Sequence, residues 1–288
     1  HHLQKTGEDT YAYGVEVSKK AKGSLGFIPL GKPYQDSSQT EHGFVSFFSL
    51  PKGETALVWL DGRKYASGQK EMSLRSAKIS QEGTFYEEEE LDGRTCDCCQ
   101  TDAASTDDGV VVVYRDRSET EIRDIYALRY EGEKWQEAVR VAKDDWEING
   151  CPVNGPAIST QGKSLAVAWY TAAQNVPQVK LAFSEDGGKS FSKAIKVDLG
   201  NPMGRVDVLM TQSNYAYVSW MEKDQEQEAK VMIRAIAKGG ALSPAREVGE
   251  ISSARASGFP ILSELENQLI LAWTEEGDTP RLSLWRSN

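Results

Sequence analysis

Four cysteines carry the sharpest chemistry in this chain. Cys96, Cys98 and Cys99 crowd one short segment, Arg94-Thr95-Cys96-Asp97-Cys98-Cys99, and Cys151 stands in Gly150-Cys151-Pro152-Val153-Asn154-Gly155. A disulfide from Cys151 to one of the first three would suit an oxidising compartment. A soft-metal site is a second reading, because thiolates packed as Cys-x-Cys-Cys can chelate copper or zinc, with His42 as a further ligand. Unpaired thiols or redox chemistry are the third. No other cofactor is expected.

Seven arginines form a second set: Arg63, Arg94, Arg115, Arg117, Arg123, Arg205 and Arg255, in a chain of net charge −10. A guanidinium grips a carboxylate through two parallel hydrogen bonds, so converging arginines would hold an anionic ligand. The same arginines could instead brace loops by pairing with Asp61, Asp116, Asp124 and Asp207. Asn154 and Asp207 stand in the same segments and count as further ligand contacts. Asp61 and Asp116 are the acid/base candidates. His42, one of three histidines, is either a third such group or a hydrogen-bonded structural residue.

A repeat has to position these residues. Five segments are runs of small or β-branched apolar residues that end in an aromatic and turn polar at once: TALVWLD, VVVVYRD, LAVAWYT, YAYVSWME and LILAWTE. Their aromatics, Trp59, Tyr114, Trp169, Trp220 and Trp273, are spaced by 55, 55, 51 and 53 residues. A period near fifty marks a radial array of four-stranded blades. The expected fold is all-β, a six-bladed β-propeller forming a single domain over 1–288.

Period-2 reading between Gly, Asp and Ser turns gives four strands per repeat. In blade three these run from Gln100 to Ser105, Val110 to Tyr114, Asp124 to Tyr130 and Trp135 to Val141. Blades two, four, five and six begin at Gly43, Gly155, Arg205 and Gly258. Blade six stops after its third strand, Leu282 to Trp285, and blade one begins at its second, near His2 to Lys5. Blades one and six are therefore expected to be incomplete, with N-terminal closing strands missing, since an unpaired blade leaves exposed strand edges.

In such a blade, the loops from strand two to three and from strand four to the next blade open on one face. Nearly all the unusual residues fall in those loops, at the mouth of the central tunnel. Because the Cys96 and Cys151 loops occupy equivalent places in adjacent blades, all four cysteines should meet. The acidic run Glu87 to Glu90 reads as the solvated face of an outer strand.

The other face holds one distinctive turn, Ser184-Glu185-Asp186-Gly187-Gly188-Lys189-Ser190-Phe191. It matches the Asp-box S-x-D-x-G-x-x-[WF], and an eroded copy runs from Ser18 to Phe27. On this turn and the blade repeats the chain resembles the sialidase superfamily of six-bladed propellers, in particular bacterial sialidase-like BNR-repeat proteins. The resemblance implies a glycosidase with three arginines on a substrate carboxylate, an Asp as acid/base and a Tyr, helped by Glu, as nucleophile. Arg205 and Arg255, at the starts of consecutive inner strands, match two members of such a triad. The third belongs to an Arg-Ile-Pro motif on the first inner strand, which Phe27-Ile28-Pro29 does not replace. Tyr170 follows the second strand of blade four, while blade six has no tyrosine.

The acidic balance excludes nucleic acid, whose phosphates need a basic face. No segment reaches the length of a membrane span, and none has the pattern of a signal peptide. The expected protein is a monomer, periplasmic or secreted from a bacterium, that binds an anionic glycan or small molecule at its rim; whether it also hydrolyses that ligand is left open, since the catalytic Tyr and the first Arg of the triad are not identifiable. The alternatives are a propeller that binds without catalysis and a metal-binding or redox protein centred on the cysteines.

Overall fold

The computed structural model describes residues 2–5, 13–50, 53–212, 215–254, 257–276 and 279–287. These residues form six antiparallel sheets, each built in chain order. Blade one has β1 (His2–Lys5), β2 (Tyr13–Lys19) and β3 (Ile28–Gly31). Blade two has β4 (His42–Ser49), β5 (Thr55–Asp61), β6 (Met72–Ile79) and β7 (Phe85–Thr95). Blade three has β8 (Asp102–Thr106), β9 (Gly109–Arg115), β10 (Ile125–Glu131), β11 (Lys134–Trp135) and β12 (Val139–Arg140). Blade four has β13 (Ala157–Gln161), β14 (Ser164–Thr171), β15 (Gln178–Ser184) and β16 (Ile195–Lys196). Blade five has β17 (Pro202–Met210), β18 (Tyr215–Lys223), β19 (Ala229–Ala237) and β20 (Arg246–Glu250), and blade six β21 (Ile261–Leu265), β22 (Gln268–Glu275) and β23 (Arg281–Arg286).

The fold is the expected β-propeller, with three strands each in blades one and six. Blade three differs in detail. Its outer strand is split into β11 and β12, both paired with β10, because the Gln136 side chain turns back onto the carbonyls of Glu131 and Lys134.

The aromatic-ended runs are the second strands, and those of blades two to five are buried on both faces. Such strands read as continuous apolar runs rather than as alternating ones. Side chains alternate between the two neighbouring blades. Leu57 and Trp59 pack with Val15 and Val17 of blade one, while Val58 and Leu60 pack with Val110, Val112 and Tyr114 of blade three. Trp169 likewise joins the core shared with blade three, Trp220 the one shared with blade four, and Trp273 the one shared with blade five.

Buried indoles favour an acceptor, and blades two, four and five supply one, whereas Trp273 Nε1 of blade six is buried without a hydrogen-bond partner among the described residues. Trp59 Nε1 donates to Asp61 at 2.8 Å and Trp220 Nε1 to Glu222 at 2.6 Å, each two residues on. In blade four that place is Thr171, and Trp169 donates to Asp144 at 2.7 Å instead. At the turn after β15, Asp186 accepts from the N–H groups of Lys189 and Ser190 and from both Ser184 and Ser190 hydroxyls. Phe191 then packs on the core between blades three and four.

Candidate functional site

The rim loops between blades two, three and four converge. The chain leaves β7 at Cys96, whose N–H donates to the Arg115 carbonyl at 3.0 Å. Cys98 is disulfide-bonded to Cys151 in the next blade's loop, with Cα atoms 6.0 Å apart. Cys96 and Cys99 are free thiols, both buried, with Sγ atoms 3.3 Å apart. The Sγ atoms of Cys96, Cys98 and Cys99 all lie within 4.8 Å of one another. With Cys98 bonded, the free thiols number two, short of the four ligands a structural zinc takes. His42 stands in blade two, engaged with Asp36, Asp61 and Thr40.

The two free thiols differ. Cys96 is lowered to about 6, by its hydrogen-bonding contact with Cys99 first and by the charges of Arg115 and Arg123, against burial. Burial and the same contact raise Cys99 well above the thiol range. Arg123 Nη1 donates to Cys96 Sγ at 3.4 Å.

Three arginines close on one carboxylate. Arg94 Nη2 donates to Glu121 Oε1 at 3.0 Å, Arg117 Nη2 to the same oxygen at 2.9 Å, and Arg123 Nη2 to Oε2 at 2.8 Å. The Arg117 bond foremost, with that of Arg123 and the charges of both, outweighs burial and pulls the Glu121 carboxyl down to about 2. Glu121 sits in the β9–β10 loop in the left-handed region, φ 61°, with its side chain 22% exposed. Glu71 pairs with Arg94 and Asp97 with Arg117. Arg94 Nε and Arg123 Nε are buried and have no hydrogen-bond partner among the described residues.

The other arginines are engaged elsewhere. Arg63 pairs with Asp61 and Glu88. Arg115, 2% exposed, gives all its hydrogen bonds to the carbonyls of Arg123, Asn154 and Tyr170, and its guanidinium lies 4.9 Å from the Trp146 ring centroid. Arg205 donates to the Ser257 hydroxyl and carbonyl and to the Ala254 carbonyl, its guanidinium 5.6 Å from the Phe259 ring centroid. Asn154 ties its own loop to β17, accepting from Arg205 N and donating to the carbonyls of Pro152 and Met203. Arg255 lies outside the described residues.

The acid/base candidates separate. His42 is 1% exposed and stacks on Tyr34 at 4.2 Å. Its Nε2 lies 3.2 Å from Asp36 and 3.4 Å from Asp61. Asp61 is fully buried. Burial raises its carboxyl, but hydrogen bonds from Arg63 and Trp59 and the nearby His42 outweigh that and hold it low. Asp116 is the opposite case, pushed up to about 7 by burial and by its neighbour Asp92. Asp92 also accepts from the Tyr114 hydroxyl at 2.7 Å and from the Arg94 backbone N–H at 2.9 Å. Asp207 bridges blades, accepting from Val208 N at 2.8 Å and Leu262 N at 2.6 Å.

Sequence reasoning missed Glu121 as the hub, Asp92 as the partner of Asp116, and Asp102, which repeats the bridge of Asp207 by accepting from Ala103 and Ile158. One signal was available for Asp102. It and Asp207 hold the same register, each opposite the residue just before its blade's aromatic, Val113 and Ser219.

No protein-family model and no curated protein matches the sequence. Solved structures match in shape. A NanB sialidase from Streptococcus pneumoniae superposes with TM-score 0.60 at 8% identity over 95% of this chain. The fold of this chain is that of a sialidase-like β-propeller. The propeller spans 62% of that NanB chain's length. A BP39L lectin from Burkholderia pseudomallei matches with TM-score 0.59 at 10% identity, over 84% of the propeller and 66% of the lectin. An ulvan lyase bound to a GlcA(1-4)Rha3S unit matches with TM-score 0.55 at 10% identity, over 88% of the propeller and 69% of the lyase. No helix among the described residues is long and apolar enough to cross a membrane.

Proposed function

We propose that this propeller binds an acidic glycan by its carboxylate, in the cradle of Arg94, Arg117 and Arg123. The observation that carries the reading is the convergence of three guanidiniums on the single carboxylate of Glu121. Glu121 is a part-exposed loop side chain, so a ligand carboxylate can displace it. Its departure leaves the cluster one positive charge richer and in need of an anion. The unpartnered Arg94 Nε and Arg123 Nε are donors that a sugar's hydroxyls or carboxylate could satisfy. Sialosides and uronates have the required chemistry. Asp116, holding its proton up to about pH 7, is the group suited to protonate a leaving oxygen. The Cys98–Cys151 disulfide supports a periplasmic or secreted location.

Calorimetric titration with sialyllactose and with a glucuronate oligosaccharide tests this. Glu121→Gln should tighten binding of at least one of them by roughly 10-fold, because a charged hydrogen-bonding competitor worth about 1.5 kcal/mol or more is gone. Arg117→Ala should abolish binding in a variant that still melts cooperatively. Equal affinity of wild type and Glu121→Gln for every acidic glycan, or equal binding of lactose, refutes the cradle.

A further inference from the structure

The four sulfurs have no part in that glycan reading, and their arrangement points to chemistry of their own. Cys96 and Cys99 bracket Asp97-Cys98, the Cys-x-x-Cys spacing of redox-active dithiols. Their Sγ atoms are 3.3 Å apart and buried. Cys98 Sγ lies within 4.8 Å of both and carries the disulfide to Cys151, the one exposed cysteine of the four. The surroundings favour a thiolate at Cys96. Arg123 donates to its sulfur, and Arg115 is a buried cation with no carboxylate at ion-pair distance among the described residues, its hydrogen bonds all going to carbonyls. A buried charge without a counter-charge is costly, and a thiolate beside it reduces that cost.

We propose that these cysteines form a thiol–disulfide relay, in which the buried Cys96/Cys99 dithiol takes over the disulfide held by Cys98 and Cys151 and so frees the exposed Cys151 thiol, with the buried Cys98 thiol behind it. The Cys96 thiolate attacks Cys98 Sγ, forming a Cys96–Cys98 bond and breaking Cys98–Cys151. Cys151 leaves as a thiolate and takes up a proton. Cys99 then attacks Cys96 Sγ, forming Cys96–Cys99 and expelling Cys98, and the proton Cys99 loses ends on Cys98. Two thiols and one disulfide stand on each side of this exchange, so it consumes no oxidant. The freed Cys151 and Cys98 can next reduce an external disulfide to two thiols, re-forming Cys98–Cys151 and leaving Cys96–Cys99 oxidised. Overall, two electrons and two protons pass from the buried dithiol to the external disulfide. The depressed Cys96 and the raised Cys99 are the order of acidities an attacking and a resolving thiol need.

The test uses the full chain and oxidised glutathione. Free thiols are alkylated with a light reagent, disulfides are reduced, the new thiols are alkylated with a heavy one, and fragmentation locates each label. Wild type should go from two free thiols to none, release two glutathione molecules per chain, and pass through a Cys151–glutathione adduct. Before glutathione is added, part of the sample should already carry its disulfide on Cys96 and Cys99. Cys151→Ala should block glutathione consumption at least 10-fold; since a failed fold could mimic this, the wild-type label map is the deciding readout. The relay is overturned if Cys96 and Cys99 remain fully light-labelled after hours in oxidised glutathione, or if the purified chain holds four thiolates on a stoichiometric copper or zinc ion.

Discussion

Replacing Asp207 with Asn should change how stability depends on pH. Its carboxylate receives one N–H from its own strand and one from Leu262 in the next blade. Burial first, and the charge of Asp102 further, push this carboxyl from 3.8 up to about 7, with the two N–H bonds opposing. A carboxyl so raised holds its proton more tightly in the folded chain than in the unfolded one. Its stabilising contribution is therefore complete below about pH 4, falls as pH rises, and is lost above about pH 7. Roughly three units at about 1.4 kcal/mol each put the loss on the order of 4 kcal/mol. Asn carries no charge and removes that slope, but its amide nitrogen cannot accept, so one N–H is orphaned at about 1–3 kcal/mol. The variant should be less stable than wild type near pH 4.5 and as stable or more so near pH 8. Urea unfolding followed by tryptophan fluorescence across that range reads the difference. Asp102, raised to about 6 by its own burial, leaves a residual slope in both proteins. Parallel stability curves for the two would refute the protonated bridge.

Two further outcomes are expected. Asp186→Asn should cost about 1–3 kcal/mol near neutral pH, since the turn after β15 hangs on that carboxylate. Burial raises this group, but the Ser184, Lys189 and Ser190 bonds prevail and hold it at about 2; its contribution is present above about pH 4 and lost toward pH 2, so melting curves of the two proteins should converge in acid. Gly155→Ala should lower the melting temperature sharply, because the added Cβ would stand 2.0 Å from the Gln100 carbonyl oxygen, while Gly26→Ala, with nothing within 4 Å, should leave it unchanged.

The architecture was legible because one signal recurs at one place in blades two to six. A strand packed on both faces must be apolar throughout, and the aromatic at its end must find a polar partner, so VVVVYRD or LAVAWYT announces a blade on its own. Equivalent loops in adjacent blades then brought Cys151 to the Cys96–Cys99 segment. The site was harder to read. Arg115 and Arg205 are buried strand residues rather than loop residues, and they and Arg63 are held by partners that sequence spacing does not reveal; those of Arg115 are carbonyls, which every residue has. Glu121 looked like one acid among many until the β7–β8 and β9–β10 loops met and three guanidiniums reached it.

Blade number, strand order and the meeting of the cysteines were thus determined by the sequence, since they depend on periodicity and on equivalence between repeats. The pairing of charges was decided only by the tertiary structure. In the sequence Asp92, Asp97, Asp116 and Glu121 are interchangeable, and each becomes an arginine partner or a proton-holding acid or its neighbour through distances of a few ångströms. Those distances exist only after neighbouring blades have packed and removed the water that would otherwise screen every pair alike.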